Sequence, residues 1–318
     1  MADMPAVAPA AKFEVARAWS QVWRFRSLSR ARRLFAGSPS PLLLSRPLFG
    51  YRCMLDVSRS DAQRVLYLEG ERFIEERFLL RRLVQGRKRI VDVGANIGYY
   101  LLMLARFSGP DAAITCIEPS GDNLLELDAN MQVNRLRNVR LHRVAAGESR
   151  ARVELTSGIN ACVIRGGAGD GSTMVDLVPL DELVPEGADF VKIDVEGYEN
   201  RVLYGARALI ERCRPVLFVE LHPRRLRQYG SSVLECVRLL EEYYDDVAFW
   251  GGSGSCGLCP LPAGSFPQRL AALYMGRDCL GRLALDDGLI RRIDDASPLG
   301  TFWAVARSRK VRAADQSH

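Results

Sequence analysis

Residues Ile90–Tyr100 read "IVDVGANIGYY", and "LLMLARF" follows at once. An apolar run closes on Asp92, glycines stand at Gly94 and Gly98, and an apolar helical pattern begins directly after the second. This is the pattern of a buried strand turning, through a corner that glycine permits, into a helix. In an open α/β sheet such a corner lies at the carboxyl end of a strand, where ligands bind as strand order reverses.

The same alternation continues outward. The patterns predict strands at 89–93, 113–117, 139–145, 190–195, 216–221, 247–250 and 301–306. Helices are expected over 71–84, 97–107, from Ser120 to about Asn134, from the end of the fourth strand to about Cys213, and over 231–244. Strands alternating with helices imply a mostly parallel sheet covered on both faces. The Gly-rich stretch 157–172 reads as a loop, and the irregular region 251–298 as an insertion or lid.

The chain has 318 residues and a net charge of +6. The first 50 residues hold eight basic and two acidic side chains, which is the whole of the excess. A nucleic-acid partner for the main body is therefore disfavoured. Residues 1–60 are expected to be a basic segment, Ala/Pro-rich and disordered at first, with an amphipathic helix over 13–35 offering peripheral membrane contact. Residues 61–310 should form the main domain, and 311–318 a disordered tail. No apolar run approaches the roughly 18 residues of a membrane span. Eight cysteines in a chain of this length do not read as a disulfide scaffold, and a cytoplasmic setting is expected.

The corner itself selects among ligands. A dinucleotide fingerprint needs G-x-G-x-x-G, but the second and third positions here are Asn96 and Tyr99. Asn96 puts a side chain where backbone should approach a pyrophosphate, which disfavours a nicotinamide cofactor. Glu118, ending the next strand, is placed to accept hydrogen bonds from ribose hydroxyls. A nucleoside without phosphates fits, and S-adenosylmethionine is such a ligand. Asp92 would serve its cationic groups.

"VDVGANIGYY", "IEPS", "VPLDEL", "FVKIDVEGYENRVLYGA" and "VELH" together resemble the FkbM family of S-adenosylmethionine-dependent methyltransferases, over roughly residues 65–250. The resemblance implies a class I methyltransferase (Rossmann-like) α/β fold with a mostly parallel sheet of seven strands, one of them reversed near its end, to which the N-terminal helical segment read above is an addition that the motifs do not cover. It implies methyl transfer, mostly to hydroxyls of sugars or secondary metabolites, and the basic N-terminal helix points to a glycan or glycolipid precursor as the acceptor. Residue by residue, Asp92, Gly94, Asn96 and Gly98 match the cofactor loop and Glu118 the ribose acid. Lys192, Asp194, Glu196, Gly197 and Glu199 match the second motif, and Glu220 and His222 the acid and histidine after the next strand. Ala145 is expected near the adenine ring.

Lys192, Asp194 and Glu196 alternate, as do Glu220 and His222, so each set should share one side of an extended segment. Burying such groups costs several kcal/mol per unpaired charge, so pairing or function must justify them. A hydroxyl acceptor needs a base. Asp194 is the first candidate, Glu196 the next and His222 a rival, with Lys192 orienting a carboxylate. Mg²⁺ held by Asp194, Glu196 and Glu220 is a further reading, although no compact metal signature is present. Two other classes compete. One is a nicotinamide-dependent oxidoreductase, and the other a non-catalytic scaffold that retains the fold.

Overall fold

The computed structural model describes residues 33–251, apart from 36, 38–39, 71–73, 157–162 and 165–171, together with 281–283, 290–291, 294 and 302–308. The expected basic helix up to residue 32, most of the region 251–298 and the tail 311–318 lie outside these residues.

A hairpin of β1 (Leu43–Leu48) and β2 (Tyr51–Asp56) comes first, then helices α1 (Asp61–Glu69) and α2 (Ile74–Val84). The central run is β3 (Arg89–Val93), α3 (Tyr99–Ser108), β4 (Ala113–Ile117), α4 (Gly121–Val133) and β5 (Val139–His142). Four short strands follow: β6 (Ala145–Gly147), β7 (Ala151–Leu155), β8 (Val163–Ile164) and β9 (Thr173–Pro179). After the single turn α5 (Leu180–Leu183) come β10 (Phe190–Ile193), α6 (Glu199–Tyr204), α7 (Arg207–Cys213) and β11 (Val216–Leu221). The described chain closes with α8 (Pro223–Gln228), α9 (Val233–Tyr243), β12 (Asp246–Gly251), β13 (Gly281–Leu283) and β14 (Phe302–Arg307).

The main sheet has the order β13-β12-β14-β11-β10-β3-β4-β5. β5, β4, β3, β10 and β11 are parallel neighbours. β14 runs antiparallel to both β11 and β12, so it is the reversed strand that the sequence led us to expect. The expected seven strands are present, and β13 adds an eighth, antiparallel to β12 at the edge. Strand order reverses between β3 and β10, so the crevice opens at their carboxyl ends.

Period-two alternation divides the sheet's side chains between two cores. Val91, Val93, Val191, Ile193, Leu217 and Val219 pack with α6, α7 and α9 through Val202, Leu209, Ile210 and Val237. Ile90, Phe190 and Phe218 pack on the other face with Leu80, Leu101, Leu102 and Leu127, and with Leu48 and Leu55 of the hairpin. Asp92, Lys192 and Glu220 share the parity of this second face.

Three expectations need correction. The single strand expected over 139–145 is split, with β5 in the main sheet and β6 in a second sheet of order β6-β9-β7-β8. The helix expected up to Cys213 breaks at Gly205, where a Cβ would lie 1.9 Å from the Gly147 carbonyl oxygen. The extended segment expected at 190–195 ends at Ile193.

The hairpin is fastened to α4 by side chains that imitate a strand. Asn134 Oδ1 accepts from Arg52 N at 2.7 Å, and its Nδ2 donates to Arg52 O at 2.6 Å. Asn130 does the same for Met54, at 2.6 Å and 3.2 Å, and also donates to Ile97 O at 2.8 Å. Glu126 accepts from Asp56 N at 3.0 Å. Every fourth helical residue advances about 6 Å and every second strand residue about 6.6 Å, so the two rows stay in register. Asn130→Ala should therefore leave three backbone groups without partners and lower unfolding stability by about 2–3 kcal/mol, measurable by urea denaturation.

Candidate active site

The turn after β3 needs its glycines. Gly94 has φ +77°, and a Cβ there would stand 1.8 Å from the Asp194 carbonyl oxygen. Gly98, at φ +89°, caps α3 against Leu127. The turn is tied to the end of β4: Gly94 N and Ala95 N donate to Ile117 O, and Asn96 N donates to Glu118 Oε2 at 2.8 Å. Asn96 itself is left-handed, and its Oδ1 accepts from Ile97 N at 2.8 Å.

Glu118 is buried, and burial raises its pKa against three hydrogen bonds that lower it. Oε1 accepts from Ser120 N at 3.0 Å and Asn123 Nδ2 at 3.1 Å, while Oε2 accepts from Asn96 N. A carboxylate offers about four acceptor positions, so these donors leave about one, on Oε2. That is room for one ribose hydroxyl where the sequence led us to expect two.

Asp92 and Lys192 are register neighbours across β3 and β10 and are both fully buried. Lys192 Nζ lies 3.0 Å from Asp92 Oδ1, 3.3 Å from Gly94 O and 3.6 Å from Asp194 Oδ2. Burial alone would lower the Lys192 pKa, but Asp92, Asp194 and Glu220 outweigh it and the ammonium is held. Burial raises the pKa of Asp92, against the pull of Lys192. Asp92 Oδ2 has no partner among the described residues.

The second motif meets the end of β11. Glu196 has φ +55°, so strand alternation stops short of it. Its carboxylate nonetheless reaches Arg225 Nε at 3.0 Å and His222 Nε2 at 3.5 Å. His222 Nε2 also faces Glu220 at 3.8 Å and Asp194 at 3.9 Å. On its other side, His222 Nδ1 is 2.8 Å from Oε1 of the fully buried Glu199, which also accepts from Gly197 N. Gly197 is obligatory here, since a Cβ would come within 2.4 Å of Arg225 Cβ.

Burial opposes the charge on His222, but the Glu199 hydrogen bond and the surrounding carboxylates prevail and push its pKa up to about 10. This favours the imidazolium at neutral pH, a hydrogen-bond donor, over the base expected as a rival to Asp194. Burial and Asp194 raise Glu220 well above the usual carboxylate range, and burial raises Glu196 as well.

Lys192, Asp194, Glu196, Glu220 and His222 are thus brought together beside Asp92 and Gly94. Ala145 is buried in a cluster with Leu177, Tyr198 and Tyr229, against which Val195 of the second motif packs. Two buried groups escaped the sequence reading. Glu76, on α2, accepts from the Tyr100 hydroxyl. The Tyr100 ring centroid lies 4.4 Å from Lys192 Nζ. Among the described residues, Asp194, Glu220 and His222 each bring a donor atom within 4.8 Å of the others, a spacing that could hold a divalent ion.

Residues 92–247, just under half of the chain, match the family model of the methyltransferase FkbM domain. The resemblance drawn from the motifs agrees with that match over the same stretch. No curated protein matches the chain. Among solved structures, the methyltransferase FkbM from Methylobacillus flagellatus KT is 23% identical, with a TM-score of 0.41 over 53% of this chain and 40% of its own. The chain therefore spans two fifths of that protein's length. TYW2 from M. jannaschii, solved in complex with AdoMet, is 14% identical, with a TM-score of 0.41 over 85% and 88% of the two chains. A precorrin-6y C5,15-methyltransferase from Geobacter metallireducens GS-15 is 13% identical, with a TM-score of 0.37 over 75% and 90%.

Two outcomes follow from this electrostatic arrangement. Lys192→Met would leave Asp92 buried without its cation, and should cost about 3–5 kcal/mol in a denaturant titration. His222 has a folded pKa above its free value of 6.5, so its stabilising contribution is complete below pH 6.5 and is lost as pH rises to about 10. The ring ¹⁵N shifts of His222 should therefore still be those of imidazolium at about pH 8, and the stability deficit of His222→Asn should shrink between these limits.

Proposed function

We propose that this protein is an S-adenosylmethionine-dependent methyltransferase acting on a hydroxyl of a sugar, a glycan or glycolipid precursor, or a secondary metabolite. The observation that carries this reading is the meeting of the Asp92–Gly98 turn with the carboxylates of Asp194, Glu196 and Glu220 at the switch point of the sheet. The residues fit the cofactor: an unpartnered buried oxygen on Asp92 and a remaining acceptor position on Glu118 suit its cationic and ribose groups. The FkbM match over 92–247 supports the same assignment.

S-adenosylmethionine supplies an electrophilic methyl group on a sulfonium. The work left to the chain is to align the acceptor and to take its proton, and effective molarities from such alignment reach about 10⁵ M or more. Our candidate for this proton is Asp194, which is 22% exposed and 3.6 Å from Lys192. Lys192 keeps this carboxylate oriented, and Glu196 is the alternative base. His222, charged and fixed by Glu199, serves as a hydrogen-bond donor.

A second reading rests on the closeness of Asp194, Glu220 and His222: a divalent ion such as Mg²⁺, chelated together with a vicinal diol of the acceptor. His222 would have to release its proton to join it. The acid-rich site and the basic N-terminal segment both suit a cytoplasmic enzyme working on a polyol acceptor near an anionic membrane. No described helix is long and apolar enough to cross one.

Calorimetric titration decides the cofactor. Wild type should bind S-adenosylmethionine and S-adenosylhomocysteine at micromolar levels, and Asp92→Ala or Glu118→Ala should each weaken binding about tenfold or more. Binding of NAD instead would establish the oxidoreductase, and binding of neither the scaffold. Acceptor screens with and without Mg²⁺ separate the two modes of catalysis.

A further inference from the structure

α2 lies outside the stretch matched to the family, yet it delivers a carboxylate to the candidate site. Glu76 is only 1% exposed. It stands in line with Leu79, Leu80 and Leu83, all buried in the core on that face of the sheet. An apolar residue would fill this position without the cost of a buried charge. A tyrosine hydroxyl needs one acceptor, and a neutral oxygen would suffice for it. Glu76 thus brings a carboxylate into this core at a cost in desolvation.

What the charge does follows from its neighbours. The Tyr100 hydroxyl donates to Glu76 Oε2, and Tyr100 is the second residue of α3, just after the turn at Gly94–Gly98. The Lys192 ammonium rests 4.4 Å from the ring centroid of Tyr100. A phenol that donates to a carboxylate carries more electron density on its ring face, which strengthens its hold on a cation. Lys192 in turn holds Asp92 at 3.0 Å and Asp194 at 3.6 Å. The chain of contacts thus runs from α2 to both ends of the proposed reaction, the methyl donor and the base.

We propose that Glu76 is a positioning residue of the methyl-transfer site: through Tyr100 it fixes and polarises the ring that seats Lys192, and so sets where Lys192 holds Asp92 and Asp194. This rests on the reading that the Asp92 turn binds S-adenosylmethionine. The site is distinguished from ordinary packing by what it senses. S-adenosylmethionine carries a positive sulfur and S-adenosylhomocysteine does not, so displaced carboxylates weaken the first more than the second.

The test is calorimetric titration of both ligands into wild type, Glu76→Leu, Glu76→Gln and Tyr100→Phe, joined to a double-mutant cycle of Glu76→Leu with Lys192→Met read by denaturant unfolding. Glu76→Leu and Tyr100→Phe should each weaken S-adenosylmethionine about tenfold, and S-adenosylhomocysteine less. Glu76→Gln, whose amide oxygen still accepts from Tyr100 but carries no charge, should retain most of the loss. In the cycle, the two substitutions together should cost less than the sum of the single effects. Equal weakening of both ligands, or additive effects on unfolding, would overturn the proposal and leave Glu76 a packing residue. If wild type binds neither ligand, the methyltransferase reading fails, and the unfolding cycle still decides whether Glu76 acts on Lys192.

Discussion

The buried pair of Lys192 and Asp92 is the constraint around which the rest is arranged. Two adjacent parallel strands bring an ammonium and a carboxylate into register where neither has any exposure. Desolvating two charges is expensive, and their attraction repays it only when the geometry is good and the remaining donors find partners. Lys192 meets that condition with Gly94 O, Asp194 and the Tyr100 ring. Asp92 does not, since one of its oxygens is left without a partner. The pair also dictates the backbone nearby: Asp194 passes so close to Gly94 that no side chain fits there.

Much of the main sheet was legible because its strands are buried on both faces. "RIVDV", "AITCI" and "VLFVEL" fall on β3, β4 and β11, with no polar side to blur the pattern. What the pattern could not show is which sheet an apolar run joins. Val139–Ala145 reads as one strand, but the chain leaves the main sheet after His142 and starts the small one at Ala145. Gly205 did carry a signal, since a glycine within a helical run marks a break or a close approach. Its reason, the passage of Gly147, is a contact across 58 positions of sequence that no local pattern contains. The β1–β2 hairpin was hidden similarly. Pro47 weakens the strand pattern, as it does for any strand at a sheet edge, and β2, besides pairing with β1, is held by asparagine side chains at the end of α4 that no strand pattern shows.

The site divides along the same line. Residues at strand ends could be read from the sequence, because the end of a parallel strand beside a glycine turn fixes where a side chain goes. Asp92, Asp194, Glu220 and His222 belong to that group. Glu76 comes from a helix, and its one signal was a charge at an apolar position of "ERFIEERFLLRRLV". Arg225 arrives from α8 because Gly197 lets that helix approach. The charge state of His222 lay beyond reach altogether. It depends on Glu199 turning its carboxylate onto Nδ1 while three other acids face Nε2, an arrangement of loops that no spacing rule encodes.

The balance of charge then bears on the direction of the proposed chemistry. Asp92, Asp194, Glu196, Glu199 and Glu220 face Lys192, His222 and Arg225, an excess of acid in a largely buried space. Burial, and with it the neighbouring acids, raises the pKa of Asp92, Glu196 and Glu220, and a bound cation would offset that excess of acid. A bound sulfonium would supply that cation. Loss of its methyl group to an acceptor hydroxyl would remove the charge from sulfur while the released proton would pass to a carboxylate, so the total charge of the site would stay constant and only its position would shift. The cations at Lys192 and His222 stand 3.6 Å and 3.9 Å from Asp194, so the carboxylate proposed as the base is oriented from two sides.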